Sequence, residues 1–167
     1  MIKIELQGDR ELIARLGTLN DRIKEAMKSS ITALVINLRT KVMSEYLSGP
    51  TGEHTLSVQT GNLRRSVKWQ VKDEEEGVEG TVSYGADVPY ARIHELGGTI
   101  HIPEIRPVVA QALHFWWGGR EMFLKKVAAH DVEMPARAPL RTAFQASVPT
   151  IKAELEKAVR RALTLHG

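Results

Sequence analysis

Residues 20–46 read NDRIKEAMKSSITALVINLRTKVMSEY. Ile23, Met27, Ile31, Leu34, Leu38, Val42 and Tyr46 recur at three- and four-residue steps and make one apolar stripe on a long amphipathic helix. Arg22, Lys24, Glu25, Lys28, Arg39, Lys41 and Glu45 fall mostly off the stripe, and Gly49-Pro50 stops the helix. A stripe of this length must be covered, so the fold is decided by what the rest of the chain lays against it. Upstream, Ile2, Ile4 and Leu6 alternate with Lys3, Glu5 and Gln7, which predicts a half-buried strand ending at Gly8. Asp9 caps a short helix through Leu16, which Gly17 is expected to break.

Downstream, residues 48–59 hold helix breakers and only two apolar side chains, the composition of a mobile surface loop. Thr60 precedes a helical turn, Gly61 to Ser66, and Val67, Trp69 and Val71 then alternate with Lys68, Gln70 and Lys72. With an acidic turn at Asp73 to Gly77 and a second strand from Val78 to Gly85, this predicts an antiparallel hairpin. Pro89 to Leu96 suits a short helix and Thr99 to Ile102 a brief strand. Between Ala110 and Val132, Gly118-Gly119 separates two further strands. Adjacent side chains of a strand point to opposite faces, so one of Trp116 and Trp117 is expected in the core and the other outside. Leu140, Phe144, Val148, Ile151, Leu155, Val159 and Leu163 restore the helical period over 136–165, with Pro149 expected to kink or divide the helix. The expected architecture is a single α+β domain over 1–167, two long amphipathic helices packed on one face of a small, mainly antiparallel sheet.

A chain of 167 residues and 18.6 kDa can bury a real core. Lys and Arg number 23 against 20 Asp and Glu, an excess of three that permits an acidic partner without demanding one. There is no cysteine, which excludes disulfides, Cys-ligated zinc, iron–sulfur clusters and a thiol nucleophile. No apolar run approaches the roughly 18 residues of a membrane span, and the first residues lack a signal-peptide h-region. The expectation is a soluble, untargeted chain with no membrane contact.

Enzymatic signatures are weak. His94, His101, His114 and His130 share the second half, but His94-Glu95 lacks the second histidine of a zinc helix, so structural or surface histidines are the expectation and no metal or cofactor is assigned. Ser66, His94 and Asp87 can be drawn as a triad, yet Gly-x-Ser-x-Gly is absent. Glu74, Glu75 and Glu76 beside Gly77 read as a solvated turn. No catalytic residue is assigned. Arg64, Arg65, Lys68 and Lys72, with the aromatic faces of Trp116-Trp117, leave nucleic-acid binding open, although nearby acids match the basic residues.

Four segments in order carry a resemblance: Gln59 to Val67 (QTGNLRRSV), Val88 to Ile100 (VPYARIHELGGTI), Ala112 to Phe123 (ALHFWWGGREMF) and Met134 to Phe144 (MPARAPLRTAF). Together they resemble the tail-completion and virion-morphogenesis proteins of tailed phages, the group related to the HK97 minor tail protein. That group carries TG-x-LR-x-S before a hairpin, PYA-x-x-x-E-x-G after it, and ARPFL at the opening of the last helix. Here the last reads Arg137-Ala138-Pro139-Leu140, with the proline displaced by one place and the aromatic lost.

The resemblance implies a structural virion protein of the tail or neck, without enzymatic activity, that completes the tail or joins it to the head. It implies self-association into a ring of sixfold symmetry or a multiple of it, contact with tail terminator, tail tube or head–tail connector proteins, and assembly in the host cytoplasm. Arg64, Arg65, Tyr90, Arg92, Trp117 and Arg137 are the expected outward-facing interface residues, of the types that dominate protein contacts. The 48–59 loop is expected to order on assembly or to line the lumen through which DNA passes. A nucleic-acid-binding module, a small hydrolase and a head-morphogenesis factor of the same family are the competing readings.

Overall fold

The computed structural model describes residues 9–74 and 77–164, with side chains from residue 17 onward. The expected strand at residues 2–7, the middle of the acidic turn and residue 165 lie outside the described residues.

Helix α1 (Asp9–Lys41) is continuous for 33 residues, about 50 Å at 1.5 Å per residue. The expected break at Gly17 is therefore a correction. One glycine costs about 1 kcal/mol in a helix interior, and a helix already nucleated on both sides carries that cost. The apolar stripe faces inward as its period requires, with Leu38 buried and Val42 fully so. From Val42 to Tyr46 the chain widens into a π-helical turn, and Leu47 N–H reaches back five residues to the carbonyl of Val42 at 3.0 Å.

A helical turn, α2 (Asn62–Arg65), leads into an antiparallel ribbon of β1 (Val67–Glu74) and β2 (Gly77–Tyr84), in register from Val67↔Tyr84 to Glu74↔Gly77. Helix α1 runs along this ribbon. Lys24 Nζ donates to the carbonyl of Glu74 at 3.0 Å and Lys28 pairs with Asp73 at 2.6 Å at the turn end, while Arg39 Nε donates to the carbonyl of Val67 at 2.9 Å at the open end.

Helix α3 (Ala91–Leu96) follows, then strands β3 (Gly98–Ile102), β4 (Leu113–Trp117), β5 (Arg120–Leu124) and β6 (His130–Met134), and helix α4 (Pro139–Thr164). The C-terminal helix thus opens at Pro139 rather than residue 136. It is not divided at Pro149, which is exposed and lies within it.

The single sheet of the sequence reading is replaced by three two-stranded ribbons, β1–β2, β3–β6 and β4–β5. Helix α1 packs on the first ribbon, and α4 packs chiefly along α1 rather than beside it on a common sheet face. The α+β class stands; the shared sheet face does not. The core sits where the end of α1, the start of β1 and the first turns of α4 converge, around Leu38, Val42, Leu47, Val67 and Ala143. Burying a side chain such as Val42 contributes about 1.5–3 kcal/mol. Along α4 the buried positions are Pro139 and the small Ala143 and Ala162, whereas Phe144 and Leu163 of the expected stripe stand half exposed.

Strand β6 was not legible as a separate element, and its pairing turns residues 98–134 into one arm. β3 and β6 pair from Gly98↔Met134 to Ile102↔His130, Ile105 and Val127 extend the ladder as an isolated antiparallel bridge, and β4 and β5 pair from Leu113↔Leu124 to Trp117↔Arg120. Gly118 and Gly119 close the tip at φ 57° and 76°, the left-handed pair that a tight hairpin turn requires.

Candidate assembly surface

The arm is the first component. Among the described residues no other element packs substantially on β4–β5, whose Leu113, Phe115, Met122 and Leu124 are half-buried and whose other side chains are exposed. Trp116, Trp117 and Phe123 are 68%, 75% and 63% exposed, and Val108 and Val109 beside them are almost entirely so. The expectation that one tryptophan enters the core is corrected: both stand exposed, although they point to opposite faces of the ribbon. Alternation along paired strands puts Leu113, Phe115, Trp117, Arg120, Met122 and Leu124 on one face and His114, Trp116, Glu121 and Phe123 on the other.

A second component is an apolar groove of about 630 Å³ on the body. It is lined by Ile31, Leu34, Val35 and Leu38 of α1, by Glu79 to Val82 of β2, by Leu140, Arg141, Phe144, Ile151 and Leu155 of α4, and by Glu95 of α3.

The third component is the junction between α3 and α4. The Glu95 carboxylate accepts from the Tyr84 hydroxyl at 3.0 Å and from the Leu140 backbone N–H at 2.7 Å, so it caps the start of α4 from another element. Arg141 donates to the carbonyl of Glu95 at 2.8 Å, and the carbonyl of His94 accepts from the N–H groups of both Arg137 and Ala138. Gly97, at φ 68°, is required here, because a Cβ would stand 2.7 Å from the backbone nitrogen of Ala136. Burial and the Glu95 charge hold the Tyr84 phenol well above its ordinary range.

Residues 48–59 form no helix or strand. Leu56 N–H donates to the carbonyl of Tyr46 at 2.8 Å, Arg137 Nη1 donates to the carbonyl of Gly52, and His54 Nδ1 lies 3.0 Å from the carbonyl of Arg137. Beneath the loop lies a cavity of about 300 Å³ that Arg64, Tyr90, His94 and Arg137 help to line. Burial, then the Arg137 charge, lowers the His94 pKa.

The six interface candidates therefore separate. Arg64 is half-buried and donates to Ser48 Oγ at 3.0 Å; Arg65 is exposed but folds back on the carbonyl of Thr60 and on Asn62 Oδ1 at 2.6 Å. Tyr90 is 43% exposed, edge-on to His94, and Arg92 is exposed. Arg137 is turned inward, which corrects its expected outward orientation: its position just before α4 lets the guanidinium reach the loop. Trp117 stands apart from all of them at the end of the arm. Missed in the sequence were the capping role of Glu95, although the PYA-x-x-x-E-x-G pattern contained it, and the groove, which needs three elements to form.

The candidate residues of the other chemistries make contacts of their own. Ser66 Oγ donates to the carbonyl of Leu63 at 2.8 Å, and His94 Nδ1 is buried without a hydrogen-bond partner. His101 pairs with Asp131 at 2.6 Å, and His114 pairs with Glu121 at 2.7 Å and stacks on Phe123. Among the described residues no group of three or more His, Asp or Glu is placed to hold a metal, and no helix is long and apolar enough to cross a membrane.

No curated protein and no solved structure matches the chain. A family model described as "Bacteriophage HK97-gp10, putative tail-component" matches residues 10–97, more than half of the chain, from the first turns of α1 to the end of α3. The match stops where the arm begins. This chain belongs to the HK97-gp10-like family of bacteriophage tail components.

Proposed function

We propose that this protein is a structural component of the phage tail or neck that completes the tail or joins it to the head as a ring of identical copies. It acts through binding geometry and has no catalytic turnover. The observation that supports this reading, beside the family, is the arm: three large aromatic side chains exposed on an element that no other element packs on substantially among the described residues. Isolated apolar side chains on a surface are ordinary, whereas a cluster of aromatic rings marks a contact awaiting a partner. Sixfold symmetry or a multiple of it, contact with tail terminator, tail tube or head–tail connector proteins, residence in the virion after assembly in the host cytoplasm, ordering of the 48–59 loop on assembly and passage of DNA through the lumen belong to the same proposal.

Electron microscopy of particles from a phage lacking this protein tests it. Unjoined heads and tails, or tails of abnormal length, are the expected result. Normal infectious particles overturn it, and defective heads assign the protein to head morphogenesis instead. A nucleic-acid-binding role is less supported, since Arg64 and Arg65 are turned back onto Ser48 Oγ, the Thr60 carbonyl and Asn62 Oδ1. Retention on DNA that falls steeply with salt would favour that role.

A further inference from the structure

We propose that the tip of the arm of one copy inserts between α4 and β2 of the next copy, so that Trp117 and its neighbours fill the 630 Å³ groove. The proposal rests on the ring reading above and specifies its contact.

Shape favours insertion over flat docking. Trp116 and Trp117 are consecutive strand residues, project to opposite faces and are both exposed, so a plane surface can cover only one of them. The groove draws its lining from α1, β2 and α4 and is mostly apolar, so it offers more than one surface to an inserted side chain. None of the arm's residues lines this groove, so the chain's own arm leaves it open. Each copy thus carries one knob and one hole on different elements. A contact of that kind is heterologous, uses every site once and closes into a ring when its rotation allows.

Charge favours the same seating. Arg120 opposes Trp117 in the β4–β5 register and shares its face, and its side chain has no ion-pair or hydrogen-bond partner among the described residues. Glu79 lies at the rim of the groove, exposed, with the Thr81 hydroxyl at 3.4 Å beside its carboxylate. A tip that brings Trp117 into the groove carries an unpaired cation toward this carboxylate. The exposed parts of Trp116, Trp117 and Phe123 offer roughly 300–500 Å² from the arm side. With an equal area from the groove these three rings approach the lower limit of about 1,000 Å² for specific interfaces, and the rest of the tip adds to it. The arm lies outside the segment that the family model matches, residues 10–97.

The chain has no cysteine, so a pair can be placed without background. The variant carrying both Glu79→Cys and Arg120→Cys is oxidised as purified protein and within assembled particles, and the mass of the unmodified protein is followed by sedimentation in parallel. A ladder of covalent multimers longer than the dimer is the expected product. Trp117→Ala added to that pair should reduce the ladder by about tenfold or more, the effect of a central aromatic anchor. Charge reversal at either position, Glu79→Arg or Arg120→Glu, should weaken self-association of the cysteine-free chain, and the double reversal should restore it. A cross-link confined to the monomer overturns the proposal, because the arm then folds onto its own groove. Oligomers in sedimentation or in particles that give no cross-link also overturn it and leave the ring reading standing. A chain that is monomeric in solution and single-copy in the particle removes both. These side chains are solvent-exposed, so the variants fold.

Discussion

The carboxylate of Glu95, at the end of α3, accepts the backbone N–H of Leu140 at 2.7 Å and so caps a helix that begins more than forty residues later. The same carboxylate accepts the Tyr84 hydroxyl at 3.0 Å. One side chain thereby ties the β1–β2 ribbon, α3 and α4 together, and Arg141 closes the junction by donating to the Glu95 carbonyl. Glu95→Ala should cost about 2–3 kcal/mol in urea unfolding, since it strands a helix-start N–H and a part-buried hydroxyl. Glu95→Gln, which keeps an acceptor, should recover a large share of the loss. Equal effects of the two substitutions would contradict the capping role.

Alkaline pH should weaken the fold through Tyr84. Its phenol is held above the ordinary value of 10.0, by burial first and the Glu95 charge second. Below about pH 10 it is protonated in both folded and unfolded chains and stability does not depend on it. Above that pH the unfolded chain loses the proton first, so stability falls as pH rises. Thermal unfolding between pH 9 and 11 should show this slope, and Tyr84→Phe should flatten it. An unchanged slope in that variant would assign the alkaline loss elsewhere.

Mild acid should act through His94, whose pKa is lowered by burial and then by the Arg137 charge. The unfolded chain takes up the imidazole proton from its ordinary value of 6.5 downward, while the folded chain resists it. The contribution of His94 is therefore complete above pH 6.5 and is lost as pH falls through the folded value. In an NMR titration of the six histidines, the signal that His94→Gln removes should be among the last to shift on acidification. A signal that shifts first would contradict this burial.

The tryptophans of the arm should be silent in stability measurements on the isolated chain. Trp116→Ala and Trp117→Ala should each change the unfolding free energy by no more than about 0.5 kcal/mol, as exposed substitutions do. Val42→Ala, at a fully buried position, should cost about 2–3 kcal/mol. Equilibrium unfolding of the three variants makes the comparison. A large loss from either tryptophan would mean that the arm is covered within the single chain.

Arg137 should govern the 48–59 loop, because its guanidinium holds the Gly52 carbonyl and its own carbonyl lies beside His54. Arg137→Ala should increase cleavage of this loop by a non-specific protease several-fold, in proportion to the population of opened loop. Arg65→Ala, whose side chain bonds only within its own turn, should leave the cleavage rate close to wild type. Similar rates in all three proteins would show that other contacts hold the loop.

Local patterns in the sequence determined the long helix, the β1–β2 hairpin, α3, the Gly118-Gly119 turn and the helical period of α4. Each of these depends on side-chain alternation, on period or on a glycine at a fixed offset, all of which act within a few residues. Tertiary structure alone decided that α1 runs through Gly17, that β6 pairs back on β3 to raise an arm, and that α4 lies along α1 rather than on a shared sheet face. It also decided that both tryptophans meet solvent and that Arg137 turns inward. Strand alternation specifies two faces but not whether a layer covers either of them, and an arginine's direction depends on which carbonyl the fold brings within reach. Burial and pairing across long separations are properties of the assembled chain, and the groove and the cap at Glu95 come into being only when distant elements meet.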